Sequence, residues 1–555
     1  MFSIVGNPTV EPFLGPASKV LQPQFVDVCM QLNLPVDTAD PSPVAKRSAI
    51  RDTHALGLQA GTCLVLFALF WLVYASMLVS PTLAIDDEYA ALRTDPTIWV
   101  RQSRWVNYLI ERFLVPQPVV VYFPLVVFGA LASLAYTWLL RAHGLPLEDI
   151  RSRLLFVPFV AFPTVLLLVV FKANAIGFGV GLAVACRFML LAREFLVAWP
   201  GSRSRSPAGQ PLTQLGLAVI CVAVAVGSYQ SLLLLTIAGL AGVVLSLTWD
   251  DRQGRAHWLP LLLLVASILV GALVSELMSY LIRWWYSVPL QYIDRFFDPG
   301  QLLRNPWTVL QHALGDMVLT YGGLANKYAV AFWSIPLVML SMGAGLVADM
   351  RRDPGKAIRA AAMLAFIMAV PFALHLVRGG GMPSRSLVAV PYVIWIAGVL
   401  ACYQRSRMLK NLGIAAVLLL SIQCLYTVSA YQTNRNLSYQ HDVQLAGQLF
   451  ARISEIVPDF DRTRRYRIHS EGSQAFQSIY PAPGGSTFRI SFFEHERRAA
   501  GRVAAFMRIH GYSNLDPIGR HRADAFRAHL EQMPVWPAPG SVRYQDGTIL
   551  VRWGP

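Results

Sequence analysis

Apolar residues in this chain gather into long runs separated by short polar stretches, near positions 58–80, 118–140, 153–171, 174–198, 212–228, 230–248, 257–282, 328–348, 358–377, 386–403 and 411–430. A helix rises 1.5 Å per residue, so about 20 apolar residues cross the roughly 30 Å hydrocarbon layer of a bilayer. The pattern therefore predicts an all-α polytopic membrane protein of about eleven transmembrane helices over 58–430, preceded by an N-terminal arm, 1–57. The first run starts near Leu58, after Lys46, Arg47 and Arg51, too far into the chain for a cleavable signal peptide, and reads as an uncleaved anchor. Residues 1–44 are Pro-rich and lack the periodicity of a core.

After 430 the pattern changes, and residues 431–555 are charged, aromatic and without a spanning run, which predicts a soluble α/β domain. Strands are expected at Arg465 to His469 and Thr487 to Phe493, helices at Arg497 to His510 and Ala523 to Met533, and a hairpin turning at Asp546-Gly547.

Charge orients the runs. The chain carries 47 Lys and Arg against 32 Asp and Glu, a formal net charge of +15, but these cations sit in clusters between apolar runs rather than along one helix face, unlike a nucleic-acid surface. With the N-terminus inside, every cytoplasmic turn is basic: Arg141, Arg151 and Arg153; Arg203 and Arg205; Arg252 and Arg255; Arg351, Arg352, Lys356 and Arg359; Arg405, Arg407 and Lys410. The opposite face then holds two long loops, 81–117 and 283–327, the C-terminal domain, and short turns at 171–174, 228–230 and 377–386. Trp99, Trp105, Tyr108, Trp284, Trp285, Tyr286 and Trp307 in the long loops suit headgroup depth and predict helices lying on the outer surface. The composition, 55% hydrophobic and 14% charged, agrees. The six cysteines lack a CxxC spacing, which argues against disulfides and a cysteine metal site.

Candidate chemistry collects on that one face. Ile85-Asp86-Asp87-Glu88-Tyr89 places three acids where the first helix leaves the bilayer. A carboxylate there suits a general base for an acceptor hydroxyl or a ligand for a divalent cation, against the plainer reading of a solvated helix end or cap. Arg101 and Arg104 follow in the same loop, Lys172 occupies a hairpin tip with almost no loop to hold a charge, and Arg378 and Arg385 flank a Gly-rich turn. Guanidinium forks and turn N–H groups suit phosphate oxygens, although each Arg alone also fits a lipid headgroup. Tyr229 and Gln230 in Ser228-Tyr229-Gln230-Ser231 add hydrogen-bonding groups at the same level. Glu276 and Arg283, seven residues apart, share a helical face and fit a structural ion pair as well as a substrate contact. Gly177-Phe178-Gly179-Val180-Gly181 lies inside an apolar run and reads as a packing face.

These motifs carry a resemblance. Ile85-Asp86-Asp87-Glu88, Arg104-Trp105, Gly227-Ser228-Tyr229-Gln230-Ser231, Pro383-Ser384-Arg385 and Asn434 to Asp442, spread over residues 58–460, resemble the bacterial GtrII-like membrane glucosyltransferases of the GT-C class. The resemblance implies transfer of a sugar, typically glucose, from a polyprenyl-phosphate donor to a polysaccharide or glycolipid acceptor such as O-antigen, at the periplasmic face of the bacterial inner membrane. It puts the catalytic base at Asp86 or Asp87, leaves Glu88, Arg101, Arg104, Lys172, Tyr229, Gln230, Arg378 and Arg385 to bind substrate, and assigns no metal ligand. A transporter or flippase of a lipid-linked or anionic substrate is the alternative from another class, but paired repeats with mid-membrane polar sites are not visible.

If the orientation holds, cysteines introduced at positions 95, 300 and 500 will all be labelled by an impermeant maleimide from the outside of intact cells. Protection of position 500 with labelling at 95 would mean the spans are miscounted.

Overall fold

The computed structural model describes residues 43–115, 118–199, 210–249, 258–291, 298–484, 486–495 and 500–554. Residues 1–42 of the expected N-terminal arm, and Arg203, Arg205, Arg252 and Arg255, lie outside the described residues. The chain divides after Gly57 into two units, and the first contributes the start of helix α1 to the described residues.

Helix α1 (Pro43–Val73) ends at Tyr74 and a short α2 (Ala75–Val79) follows. The first long loop folds into α3 (Asp87–Leu92), α4 (Ile98–Arg101) and α5 (Trp105–Leu109), which runs into a π-helical turn at Ile110–Leu114. Next come α6 (Phe123–Ala142), α7 (Ile150–Leu154), α8 (Phe156–Ala161), α9 (Pro163–Val169), α10 (Lys172–Ala198), α11 (Gln210–Ser228), α12 (Leu232–Trp249) and α13 (Trp258–Tyr286). Three helices, α14 (Pro299–Arg304), α15 (Pro306–Tyr321) and α16 (Ala325–Tyr328), fill the second long loop. They lead to α17 (Ser334–Met350), α18 (Pro354–Ala369), α19 (Ala373–Arg378), α20 (Val390–Cys402) and α21 (Arg407–Ile456).

The chain is thus a mostly helical, multi-pass membrane protein, but the count of about eleven spans is not confirmed. Among the described residues seven helices are long and apolar enough to cross a bilayer, or eight if a bent pair is one span. That pair, Ile150–Ala161 and Pro163–Val169, bends by 57°. The cause is local: a residue before proline is driven out of the helical region, and Phe162 is extended at φ −62°, ψ 139°. Tyr74 caps the break by donating from its hydroxyl to the Val160 carbonyl at 2.8 Å. The remaining apolar runs give shorter helices, Gly57–Val73, Ser334–Met350 and Val390–Cys402.

Helix α10 packs along α6, α11 and α12. Its glycines form the expected packing face, because a Cβ at Gly179 would lie 3.1 Å from Phe128 and Leu131, and one at Gly181 would lie 2.5 Å from Leu232. Two contacts bind the first loop to the bundle in the same way. A Cβ at Gly177 would fall 1.7 Å from Asn107, and one at Gly227 would fall 2.0 Å from the Trp105 indole nitrogen. That nitrogen also donates to Ser275 Oγ at 3.1 Å, so Trp105 wedges α5 between α11 and α13.

Helix α21 runs unbroken for 50 residues, about 75 Å at 1.5 Å per residue, so the change of composition at 430 falls inside a helix. Beyond it a small sheet forms from β1 (Tyr466–Glu471), β2 (Leu515–Pro517), β3 (Val542–Gln545) and β4 (Thr548–Arg552), in the order β2-β1-β4-β3. Strand β1 is parallel to both neighbours, and β3 and β4 form the expected antiparallel hairpin, with Asp546 and Gly547 at φ 48° and 70° as a two-residue primed turn requires. The segment Thr487 to Phe493 is not a strand. Its backbone is claimed by a side chain instead, with Asp442 accepting from Phe492 N at 2.9 Å and Ser491 Oγ at 2.5 Å. Helix α22 (Ala500–Ile509) covers the sheet's apolar cluster, and short helical turns follow over residues 520–532.

Replacing Gly227 by Ala will force Trp105 to move and lower thermal stability, by about 1–3 kcal/mol if the site behaves as an overpacked core. In a Trp105→Ala background the same change will cost much less, which a double-mutant cycle on detergent-purified protein reads directly.

Candidate active site

The acidic segment enters the first loop as an extended stretch and then turns sharply. Asp86 adopts φ 83°, a left-handed conformation costly for any residue but glycine, and α3 begins at the next position. This geometry sends the three carboxylates in different directions.

Asp87 is 1% exposed and reaches across to the start of α10. Its Oδ2 accepts from Ala84 N at 3.0 Å and Lys172 N at 3.2 Å, and its Oδ1 accepts from Ala173 N at 3.3 Å. A carboxylate so placed satisfies orphan N–H groups of a 27-residue helix and meets the positive end of its dipole. Burial raises the proton affinity of Asp87 above the ordinary aspartate range, while the Ala84 N–H, the Lys172 charge and the other N–H groups pull it back. Glu88 points the other way into a fully buried ion pair with Arg502 of α22; burial pushes its carboxyl upward and the guanidinium opposes that. Asp86 stays 63% exposed, with Oδ1 3.1 Å from Arg502 Nη2. The freer carboxylate is therefore Asp86, not Asp87.

A cavity of about 760 Å³ opens beside this segment. Asp86, Asp87, Tyr89, Arg93, Asp95, Trp99, Arg101 and Arg104 line it from the first loop, Leu168, Phe171 and Asn174 from the α9–α10 turn, Tyr229 from the α11–α12 turn, and Arg385 from the turn before α20. The lining thus interleaves apolar and aromatic side chains with cationic ones. The Arg104 guanidinium lies 4.7 Å from the Tyr229 ring centre and that of Arg385 lies 5.7 Å from Phe171. Tyr229 also donates to the Arg385 carbonyl at 3.4 Å, joining two of the turns.

Four expected site residues are not among the lining residues. Glu88 is held by Arg502. The Lys172 side chain is buried, with Met77 Sδ at 3.9 Å from Nζ. Gln230 donates to the Gln102 and Ser103 carbonyls at 2.6 and 3.1 Å and so fastens the loop. Arg378 donates to the Gly381 carbonyl within its own turn. Glu276 and Arg283 pair with each other at 2.8 Å, and Arg283 also donates to Ser103 Oγ at 2.6 Å.

A family model described as Glucosyl transferase GtrII matches residues 75–402, more than half of the chain. The chain belongs to the GtrII glucosyltransferase family. Every residue that lines the cavity falls inside the matched segment, whereas Arg435, Asp442 and Arg502 fall beyond it. No curated protein matches the chain, and no solved structure does.

Within this GtrII glucosyltransferase several supporting residues carry no signal in the sequence. Glu111, 8% exposed in the π-helical turn, pairs with Arg93 through both oxygens and accepts from Trp99 Nε1 at 2.6 Å, so it fixes one cationic edge of the cavity. Asp95 accepts from Thr97 N at 3.0 Å and from its hydroxyl at 2.5 Å; partial burial pushes its carboxyl up, and these bonds outweigh burial and hold it below the usual range. Asn107 donates to Asn174 at 2.7 Å, both buried, which ties α5 to α10. Such residues look like ordinary loop polar groups until the fold brings their partners near. Among the described residues no three His, Cys, Asp or Glu side chains converge as a metal-binding group.

Proposed function

We propose that this glucosyltransferase moves glucose from a polyprenyl-phosphate donor to a hydroxyl of a polysaccharide or glycolipid acceptor such as O-antigen, at the periplasmic face of the bacterial inner membrane. The observation that carries the reading is one cavity that combines the two aspartates of the acidic segment, arginines from separate turns and apolar side chains. In the step, the acceptor oxygen bonds to the anomeric carbon as the bond from that carbon to the phosphate oxygen breaks. The acceptor proton passes to a carboxylate, and polyprenyl phosphate leaves as an anion. An acid, cations for the leaving group and an apolar surface for the chain are what this chemistry needs.

The geometry favours Asp87 as the base. Its carboxylate lines the cavity, its orientation is fixed by three N–H groups, and a carboxylate has about four lone-pair sites, so one remains for an acceptor hydroxyl. A raised proton affinity makes it a stronger base than an exposed aspartate. Arg104 and Arg385, both in contact with Tyr229, are suited to the phosphate, as is Arg101, which also lines the cavity. Lys172 acts through Asp87, its charge favouring the ionised form.

The test is transfer from synthetic polyprenyl-phosphate glucose by purified Asp86→Asn and Asp87→Asn proteins, with donor binding measured separately. Asp87→Asn will bind donor and lose turnover by about 10²-fold or more, the range for losing a general base. Because Asp87 must be ionised and its pKa is raised, the parent rate will fall as pH drops through a value above the ordinary aspartate range, about 3.9. Parent-like turnover in both variants would reject the role of the acidic segment.

A further inference from the structure

The C-terminal region lies beyond the family match, which stops at residue 402, yet it grips the acidic segment from three directions. Leu83 and Ile85 are 4% and 0% exposed and pack among Leu445, Leu449, Val503 and Phe506. Arg435 on α21 donates to the Leu83 carbonyl. Arg502 on α22 is 3% exposed at its side chain and joins Asp86 and Glu88 through separate nitrogens, with its guanidinium 4.8 Å from the Tyr89 ring centre.

Asp86 and Glu88 flank Asp87, and both are drawn to one cation. Asp86 precedes the helix in a left-handed conformation, which lets its side chain and that of Glu88 reach one cation while Asp87 between them points elsewhere. That direction is the cavity and the start of α10, where Asp87 is found. The left-handed backbone at Asp86 is a conformation that persists only where the surroundings over-determine it, and Arg502 supplies part of that constraint.

We propose that Arg502 is a positioning residue for glucosyl transfer: by tying Asp86 and Glu88 to the C-terminal region it aims Asp87 into the cavity, which makes that region part of the active site's construction. The proposal rests on the reading of the cavity given above, and it assigns Arg502 no contact with substrate.

The test separates positioning from mere stability by removing the pair in two ways in the full-length protein. Arg502→Met alone leaves Glu88 as an uncompensated buried acid and will lower both Tm and kcat. Arg502→Met combined with Glu88→Gln removes both charges, so Tm will return toward the parent value. Its kcat will remain down by about tenfold or more with donor KM little changed, because the loss is in a group used only in the transition state. Arg502→Lys will restore part of kcat, and hydrogen exchange at residues 84–92 will be faster in both methionine variants. Recovery of kcat together with Tm in the double variant would overturn the proposal, as would unchanged exchange over 84–92. The variants are compared on whichever activated glucose donor the parent uses, so a parent active only with another donor would remove the polyprenyl carrier and leave this comparison intact.

Discussion

Two neighbouring carboxylates, Asp87 and Glu88, are buried where a membrane helix gives way to its loop. Taking a carboxylate out of water costs several kcal/mol unless charges and hydrogen bonds replace its hydration. Much of the surrounding architecture supplies that replacement. The N-terminus of α10 and the Lys172 charge serve Asp87, and Arg502, carried by a helix more than 400 positions away in the chain, serves Glu88. Satisfying the acids therefore fixes three separate segments relative to one another, and two of them, the first loop and the start of α10, line the cavity.

Close packing supplies the second constraint. Trp105 and Asn107 can approach α11 and α10 only because Gly227 and Gly177 have no side chain to meet them. The first loop is consequently held against the bundle by contacts at the backbone, with Gln230 adding hydrogen bonds from the α11–α12 turn and Glu111 bracing the loop from within. A site that must recognise a phosphate and orient a hydroxyl gains from such rigidity, since a misplacement of about 1 Å in a reacting group can cost 10²-fold in rate.

Much of this was legible before the fold was known. Long apolar runs announced a polytopic helical protein, and the acidic segment, Arg104, Tyr229 and Arg385 do meet around one cavity. Depth in the bilayer is written in a sequence; direction around a helix axis is written far less clearly. Lys172 and Glu88 were expected to bind substrate, yet the Lys172 side chain is buried against Met77 and Glu88 turns to Arg502. The span count is not confirmed for a related reason, because one run bends by 57° at Pro163 and three others give shorter helices, Gly57–Val73, Ser334–Met350 and Val390–Cys402. Arg502 lies in an unremarkable basic helix, and only the folded chain reveals that it completes the first loop.

The central claim is that phosphate and sugar of the donor occupy the cavity beside Asp87. Electron cryomicroscopy of the purified protein with a non-transferable phosphonate analogue of polyprenyl-phosphate glucose tests it most directly. The account predicts phosphonate density between Arg104 and Arg385 and the glucose ring facing the Asp87 carboxylate. Density for the phosphonate at the other basic cluster, beside Arg352, Lys356 and Arg405, with the cavity empty, would contradict it.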